Sequence, residues 1–211
     1  MQVSTIGIDL AKNVFQVHGV DEQHKVVLVR QLRRGQVLDF FGKLAPCLVG
    51  MEACATAHHW ARQLTKLGHT VRLIPPAYVK AYVKRQKNDA ADAAAICEAV
   101  TRPSMRFVPV KSTEQQATLA VPRTCALLIS QRTQLINALR AHLAELGIVA
   151  EEGRDGLAKL IAIISQNSTL QSLPSAMLDA LQSLVAQLAS LQRQIGELDR
   201  CLHAQHRASD T

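Results

Sequence analysis

The sequence predicts an α/β domain built on a mixed sheet, followed by an α-helical region with a coiled-coil seam. Three observations predict it. Three consecutive Val- and Ile-rich segments open the chain, helical and short apolar segments then alternate, and leucines near the end recur in alternating steps of four and three.

Residues 3–10, 13–20 and 25–32 read as strands, separated by short polar turns at Lys12-Asn13 and Asp21-Glu22-Gln23, a spacing that suits an antiparallel meander. In residues 35–44, Val37, Leu38, Phe41 and Leu44 fall at helical spacing. The apolar run 47–51 is too brief for a helix and fits a buried parallel strand. A helix is expected over about 53–67, stopped by Gly68, then a strand over 69–74 closed by Pro75-Pro76. A short helix around 77–85 precedes the alanine-rich stretch 89–101, which Pro103 ends. Three antiparallel strands followed by right-handed crossovers describe a ribonuclease H-like fold. A doubly wound nucleotide-binding domain would need a glycine-rich turn after its first strand, and no G-x-G-x-x-G stands there.

Beyond residue 111 the chain changes character, which divides it into 1–111 and 112–211. Residues 112–147 are helix-forming, with an interruption expected at Pro122 and with Ile129, Ile136, Leu139, Leu143 and Leu146 along one side. A short helix follows Gly153, then a polar loop over 165–172. From Ser175, the residues Met177, Leu181, Leu184, Leu188, Leu191, Ile195, Leu198 and Leu202 trace a heptad seam. It predicts a coiled coil or long helical hairpin over residues 173–204; one helix of an intramolecular bundle is the alternative.

Charge is unevenly spread along the 211 residues. Residues 1–111 hold 16 Lys and Arg against 8 acids, whereas residues 112–211 hold 8 against 9, so the excess of +7 belongs to the first half. Between Glu52 and Asp89 there is no acid, while Arg62, Lys66, Arg72, Lys80, Lys84, Arg85 and Lys87 fall in the gap. A basic face of this kind suits a polyphosphate backbone, whose counterions it displaces. Only seven residues are Phe, Trp or Tyr, too few for a single-strand binder built on stacking platforms. No apolar run reaches the roughly 20 residues that span a bilayer, and the start lacks the basic region of a signal peptide. Five scattered cysteines without a C-x-x-C speak against a zinc site or a disulfide framework, and a reducing cytoplasm is expected.

Four carboxylates stand out by position. Asp9 ends the first strand, Glu52 ends the fourth, and Asp89 and Asp92 lie three apart at the start of a helix, on one face. In a ribonuclease H-like sheet the first and fourth strands are neighbours and a later helix packs over their ends, so the four acids converge. Like charges so close repel unless divalent cations neutralise them. Hard oxygen donors favour Mg²⁺ or Mn²⁺, and two such ions about 4 Å apart serve phosphoryl transfer. Each acid also has a plainer reading: a strand-end acid, a first-turn acid, a helix cap. Lys84, Arg85 and Lys87, just before Asp89, are candidates for holding a phosphate backbone. Adjacent His58 and His59 point about 100° apart on a helix and do not suit one metal ion; Cys54 and Cys97 read as small buried hydrophobes.

The stretches Gly7-Ile8-Asp9-Leu10-Ala11-Lys12, Gly50-Met51-Glu52-Ala53-Cys54, Ala57-His58-His59-Trp60 and Lys87-Asn88-Asp89-Ala90-Ala91-Asp92-Ala93 resemble the DEDD transposases of bacterial insertion sequences, relatives of the pilin-gene-inverting recombinases. Residues 106–111, Arg-Phe-Val-Pro-Val-Lys, extend the resemblance, which covers essentially the whole chain. It implies a RuvC-like nuclease domain whose Asp9, Glu52, Asp89 and Asp92 bind Mg²⁺, and a coiled coil that makes a homo-oligomer, dimer or tetramer. It also implies DNA as substrate, a structured guide RNA as partner, and strand cleavage and transfer as the reaction. Two departures stand against the family pattern. Ala55-Thr56 occupies a place where glycine is common, and nothing after Leu202 resembles the serine-bearing C-terminal domain, so a truncated chain is expected. The competing functions are a noncatalytic nucleic-acid-binding and oligomerisation module, and a stand-alone RuvC-type junction nuclease.

Overall fold

The computed structural model describes residues 2–82, 89–166 and 173–209. The chain forms two compact units, one ending at Glu114 and the other beginning at Gln115.

The first unit opens with β1 (Thr5–Leu10), β2 (Val14–Val20) and β3 (Val26–Arg33). They form an antiparallel meander. Its second turn closes on Asp21, whose carboxylate accepts the Gln23 and Lys25 backbone N–H groups at 3.0 and 2.9 Å. That Asx-type bonding stabilises the turn locally, and His24 takes the left-handed conformation there (φ 60°). A 3-10 turn (Arg34–Gln36) leads into α1 (Val37–Gly42), followed by β4 (Leu48–Glu52), α2 (Ala57–Lys66) and β5 (Thr70–Ile74). β4 runs parallel to β1, and β5 parallel to β4, giving the order β3-β2-β1-β4-β5. This is the ribonuclease H-like arrangement that the element order predicts.

Two boundaries differ from the sequence expectation. α2 begins at Ala57 rather than near residue 53, because a turn intervenes: Cys54 N–H donates to the Glu52 carbonyl at 2.9 Å, and Ala57 N–H to the Cys54 carbonyl at 3.2 Å. After β5, the expected short helix resolves into α3 (Pro76–Val79) and a 3-10 turn (Lys80–Tyr82), with residues 83–85 outside the described residues. Then comes α4 (Asp89–Ala99).

Side chains of alternate parity divide the sheet into two faces. Ile6 and Ile8 of β1 and Val49 and Met51 of β4 point one way, into a core shared with Phe15, Val17, Phe41, Trp60, Ala61 and Leu64. Each such fully buried apolar side chain contributes roughly 1.5–3 kcal/mol. Trp60 meets Phe15 edge-on at 5.0 Å, and its indole N–H is buried without an acceptor among the described residues. His69 fastens this layer to the strand ends. Its Nδ1 accepts the Cys47 N–H at 3.3 Å, so Nε2 carries the proton and donates to the Phe41 carbonyl at 3.1 Å. Burial pushes the neighbouring Cys47 thiol up to about 11, which keeps it neutral.

The opposite face is covered by α4, which packs on β1, β2 and β4. Ala95, Ile96, Ala99 and Val100 form a second small core there with Ile74 and Val79.

The second unit consists of α5 (Thr113–Ala144), α6 (Arg154–Gln166) and α7 (Ser175–Ser209). α5 runs through Pro122 without the expected interruption. A proline costs a helix interior about 3 kcal/mol, but propagation in a long helix gains one bond per residue fixed. The first part of the heptad seam is spent inside this unit: Leu181 and Leu188 of α7 are buried with Leu139 and Leu143 of α5 and Leu157, Leu160 and Ile164 of α6. Farther along α7, Ile195, Leu198 and Leu202 are only half-buried. None of the described helices is long and apolar enough to cross a membrane, and all five cysteines are free thiols.

Candidate active site

The acids are organised by two glycines. Gly7 of β1 and Gly50 of β4 are paired in register, so they lie side by side and open a shallow trough across the sheet. The backbone of α4 fills it at Gly7, and the side chain of Val100, the residue after the helix, fills it at Gly50. A Cβ at Gly7 would stand 2.2 Å from the Ala93 carbonyl oxygen and 2.4 Å from the Cys97 nitrogen; one at Gly50 would stand 2.8 Å from the Val100 Cβ. The Cys97 thiol reaches the Thr5 carbonyl at 3.7 Å. This approach is what the alanine-rich composition of α4 serves, since larger side chains would hold the helix off. Burial raises the Cys97 thiol to about 11, consistent with its reading as a small buried hydrophobe.

Asp9 follows Gly7 by two residues and Glu52 follows Gly50 by two, so both carboxylates share the face that α4 covers. They stand on neighbouring parallel strands, each one residue beyond the paired Ile8 and Met51. Both are half-buried, as is Asp92. Because Thr5 meets Cys97 while Gly7 meets both Ala93 and Cys97, α4 runs against β1, and its first turn points toward the Asp9 end. The levels also agree. Two strand residues climb about 6.6 Å from Gly7 to Asp9, while one helical turn climbs about 5.4 Å from Ala93 back toward Asp89.

Asp89 is the first residue of α4, one turn before Ala93; its side chain lies outside the described residues. Asp92 lies one turn before Ile96, a residue buried against Ile74 and Val79. On the other flank of Asp9, β2 offers Gln16 directly opposite in register. It is 9% exposed and polar in a buried layer, and nothing in the sequence reading singled it out. Among the described residues no three His, Cys, Asp or Glu side chains are grouped to hold a metal ion. The candidate donors, Asp9, Glu52, Asp89 and Asp92, are all carboxylates, a set that would suit a hard divalent cation. Lys84, Arg85 and Lys87, expected to hold phosphate, lie outside the described residues.

The segment after α4 is fixed to this unit. Val108 bridges to Leu73 of β5, and farther on Arg62 donates to the Lys111 carbonyl while Lys111 N–H donates to His58 Nδ1 at 3.2 Å. His58 therefore acts as an acceptor on α2, which accounts for it without a metal. Burial first, then the charges of Lys111 and Arg62, lower its pKa from the ordinary value. Burial likewise lowers that of His18 on β2. For a histidine held neutral, the unfolded chain binds the proton more readily, so stability rises with pH across the window. The contribution is complete above the unfolded value near 6.5 and is lost as pH falls through the depressed folded value. Thermal melting between pH 7 and pH 5 is expected to show a falling midpoint, and His58→Gln, which keeps an acceptor, to flatten that slope.

The fold defines a class: a ribonuclease H-like mixed sheet with a helix laid across it. The transposase family model DEDD_Tnp_IS110 matches residues 6–148, and the chain belongs to that family, the IS110-type DEDD transposases. Similar proteins include one described as "Probable family 20 transposase" from Pseudomonas aeruginosa, 52% identical over 206 residues, covering 97% of this chain and 60% of that protein. The "Transposase for insertion sequence element IS1328" of Yersinia enterocolitica is 39% identical over 211 residues, covering 99% of this chain and 61% of that protein. The chain thus spans about three fifths of the length of these curated relatives. Among solved structures, that titled "T. thermophilus RuvC in complex with Holliday junction substrate" aligns with a TM-score of 0.37 at 13% identity, covering 51% of this chain and all of the other.

Proposed function

We infer that this chain supplies the carboxylate-bearing part of a transposase active site that cleaves and transfers DNA strands. What supports the reading most is the close approach of α4 to β1 at Gly7, with Thr5 against Cys97, which directs the start of the helix toward the ends of β1 and β4 near Asp9 and Glu52. Asp9, Glu52, Asp89 and Asp92 would hold Mg²⁺ or Mn²⁺. When bound, such ions supply an activated oxygen nucleophile and stabilise the leaving oxygen. The chain's own part is to fix the carboxylates on two rigid strands and one helix, because sites carried by regular elements keep their geometry. Lys84, Arg85 and Lys87 would position phosphates, and Gln16 would orient the Asp9 carboxylate from the adjoining strand. A structured guide RNA would occupy part of the basic face. The half-buried end of the α7 seam would pair between protomers to give a dimer or tetramer. The free thiols fit a reducing cytoplasm.

Mixing the chain with plasmid DNA bearing insertion-sequence ends tests this reading. Salt-dependent binding without nicking is expected, with Mg²⁺-dependent cleavage gained when the remaining portion of the Pseudomonas aeruginosa relative is supplied. Nicking by the chain alone, lost in Asp9→Asn, would instead identify an autonomous junction nuclease. The alternative reading is a noncatalytic nucleic-acid-binding and oligomerisation scaffold. That reading stands if cleavage by the completed protein ignores Glu52→Gln and Asp92→Asn.

A further inference from the structure

The end of the sheet at which Asp9 stands also carries, on the face opposite α4, a cation to which the proposed reaction has given no role. β3 runs alongside β1 in the same direction, with β2 between them, so its end at Arg33 and the following Arg34 emerge beside the Asp9 end of the sheet. Arg34 is held there from three sides. Its backbone N–H donates to the Asn13 carbonyl at 2.9 Å. Its Nη1 donates to the Lys12 carbonyl at 3.2 Å. Its guanidinium lies over the rings of Trp60 and Phe15, with centroid distances of 5.3 and 5.8 Å. Lys12 and Asn13 form the turn that leaves β1 only three residues after Asp9. Both aromatic rings belong to the buried core, so the platform beneath the cation is rigid.

Arg34 is exposed, and among the described residues no carboxylate pairs with it. A structural tie to the Lys12 carbonyl uses one of its five N–H donors. The rest of the fork remains for a ligand, and a planar fork fits a phosphate bidentately. Stacking and the backbone bond have already restricted the side chain, so less freedom is lost when it grips an anion. We propose that Arg34 binds a backbone phosphate of the DNA that passes over the Asp9 end of the sheet. The assignment rests on the reading of this chain as a transposase part. Lys12, exposed in the adjoining turn, adds positive charge on the same side.

Binding of the 211-residue chain to a fluorescein-labelled DNA duplex of mixed sequence, across a salt series, tests the assignment. The duplex slope of log affinity against log salt drops by about 0.9 for each phosphate contact removed. Arg34→Gln is therefore expected to make the slope shallower by about one unit. Arg34→Lys should keep the slope while weakening binding, since it retains charge and loses the fork. Melting temperature separates this from a purely structural role: a tie between the β1–β2 turn and β3 would lower the midpoint in Arg34→Gln and leave the slope unchanged, and that result overturns the proposal. So does a slope that falls on an RNA hairpin but not on DNA. A wild-type chain that binds neither nucleic acid would overturn the transposase reading first, and the Arg34 assignment with it.

Discussion

Asp9→Asn is expected to reduce Mg²⁺-dependent strand cleavage by the completed transposase at least a hundredfold, while the chain melts no lower than wild type. The first half follows from chemistry. An amide keeps the shape of the carboxylate but gives up its charge, and a hard divalent cation binds charged oxygen far better than a neutral carbonyl. Metal assistance supplies several kcal/mol of transition-state stabilisation, and every 1.36 kcal/mol is tenfold in rate. The second half follows from position. Asp9 and Glu52 stand at neighbouring strand ends on one face, where like charges oppose each other unless a cation lies between them. Asp9 already has a partner; removing one charge in metal-free buffer relieves the opposition with Glu52, which offsets what the amide gives up toward that partner. Cleavage rates and melting curves, with and without Mg²⁺, check both halves. A merely structural acid would show the reverse pattern, with lower stability and unchanged cleavage.

Gly7→Ala is expected to have the largest effect on stability. The added methyl would meet backbone: the Ala93 carbonyl oxygen at 2.2 Å, the Cys97 nitrogen at 2.4 Å and the Cys97 Cα at 2.8 Å. No rotamer change can relieve such contacts, so α4 must lift from the sheet. Overpacking of this sort costs about 1–3 kcal/mol and sometimes more. For a unit of this size each kcal/mol lowers the melting temperature by roughly 4–8 °C. Lifting α4 also carries its first turn away from Asp9, so metal-dependent activity should fall below what the lost stability alone explains. Gly42→Ala, at a helical site with nothing near the added methyl, should be neutral or slightly stabilising. Paired melting curves of the two variants measure the contrast, and a Gly7→Ala chain that melts like wild type would refute the close approach.

Much of this architecture was readable from residue order. Three β-rich segments followed by alternating helices and strands leave few sheet topologies, and the observed order β3-β2-β1-β4-β5 is the one they favour. Glu52 is the last residue of its strand, as expected, whereas β1 runs one residue past Asp9 to Leu10. The turn after Glu52 was less visible, since Ala53, Cys54 and Ala55 have no strong preference against a helix, and only the hydrogen bonds of the turn delay α2 to Ala57. Pro122 misled for a different reason: its penalty is local, while the helix around it is long. Heptad spacing cannot tell an intramolecular partner from another protomer. Leu181 and Leu188 find theirs within the unit.

Two features of the candidate site had no sequence signal of their own. Gly7 and Gly50 read simply as residues near an acid. Their meaning lies in being paired in register, together with an alanine-rich helix, which only topology brings to one place. Arg34 was one of many cations in the first half of the chain. What distinguishes it is the aromatic platform of Phe15 and Trp60, residues far apart in the sequence. Lys84, Arg85 and Lys87 remain expectations of the basic gap between Glu52 and Asp89.

Anomalous diffraction from crystals of the chain grown with Mn²⁺ and a DNA duplex tests the central claim most directly. Two manganese peaks coordinated by Asp9, Glu52 and the first turn of α4 are predicted, both absent from crystals of Asp9→Asn. Manganese found only at other surface acids, with the ends of β1 and β4 metal-free beside bound DNA, would contradict the account.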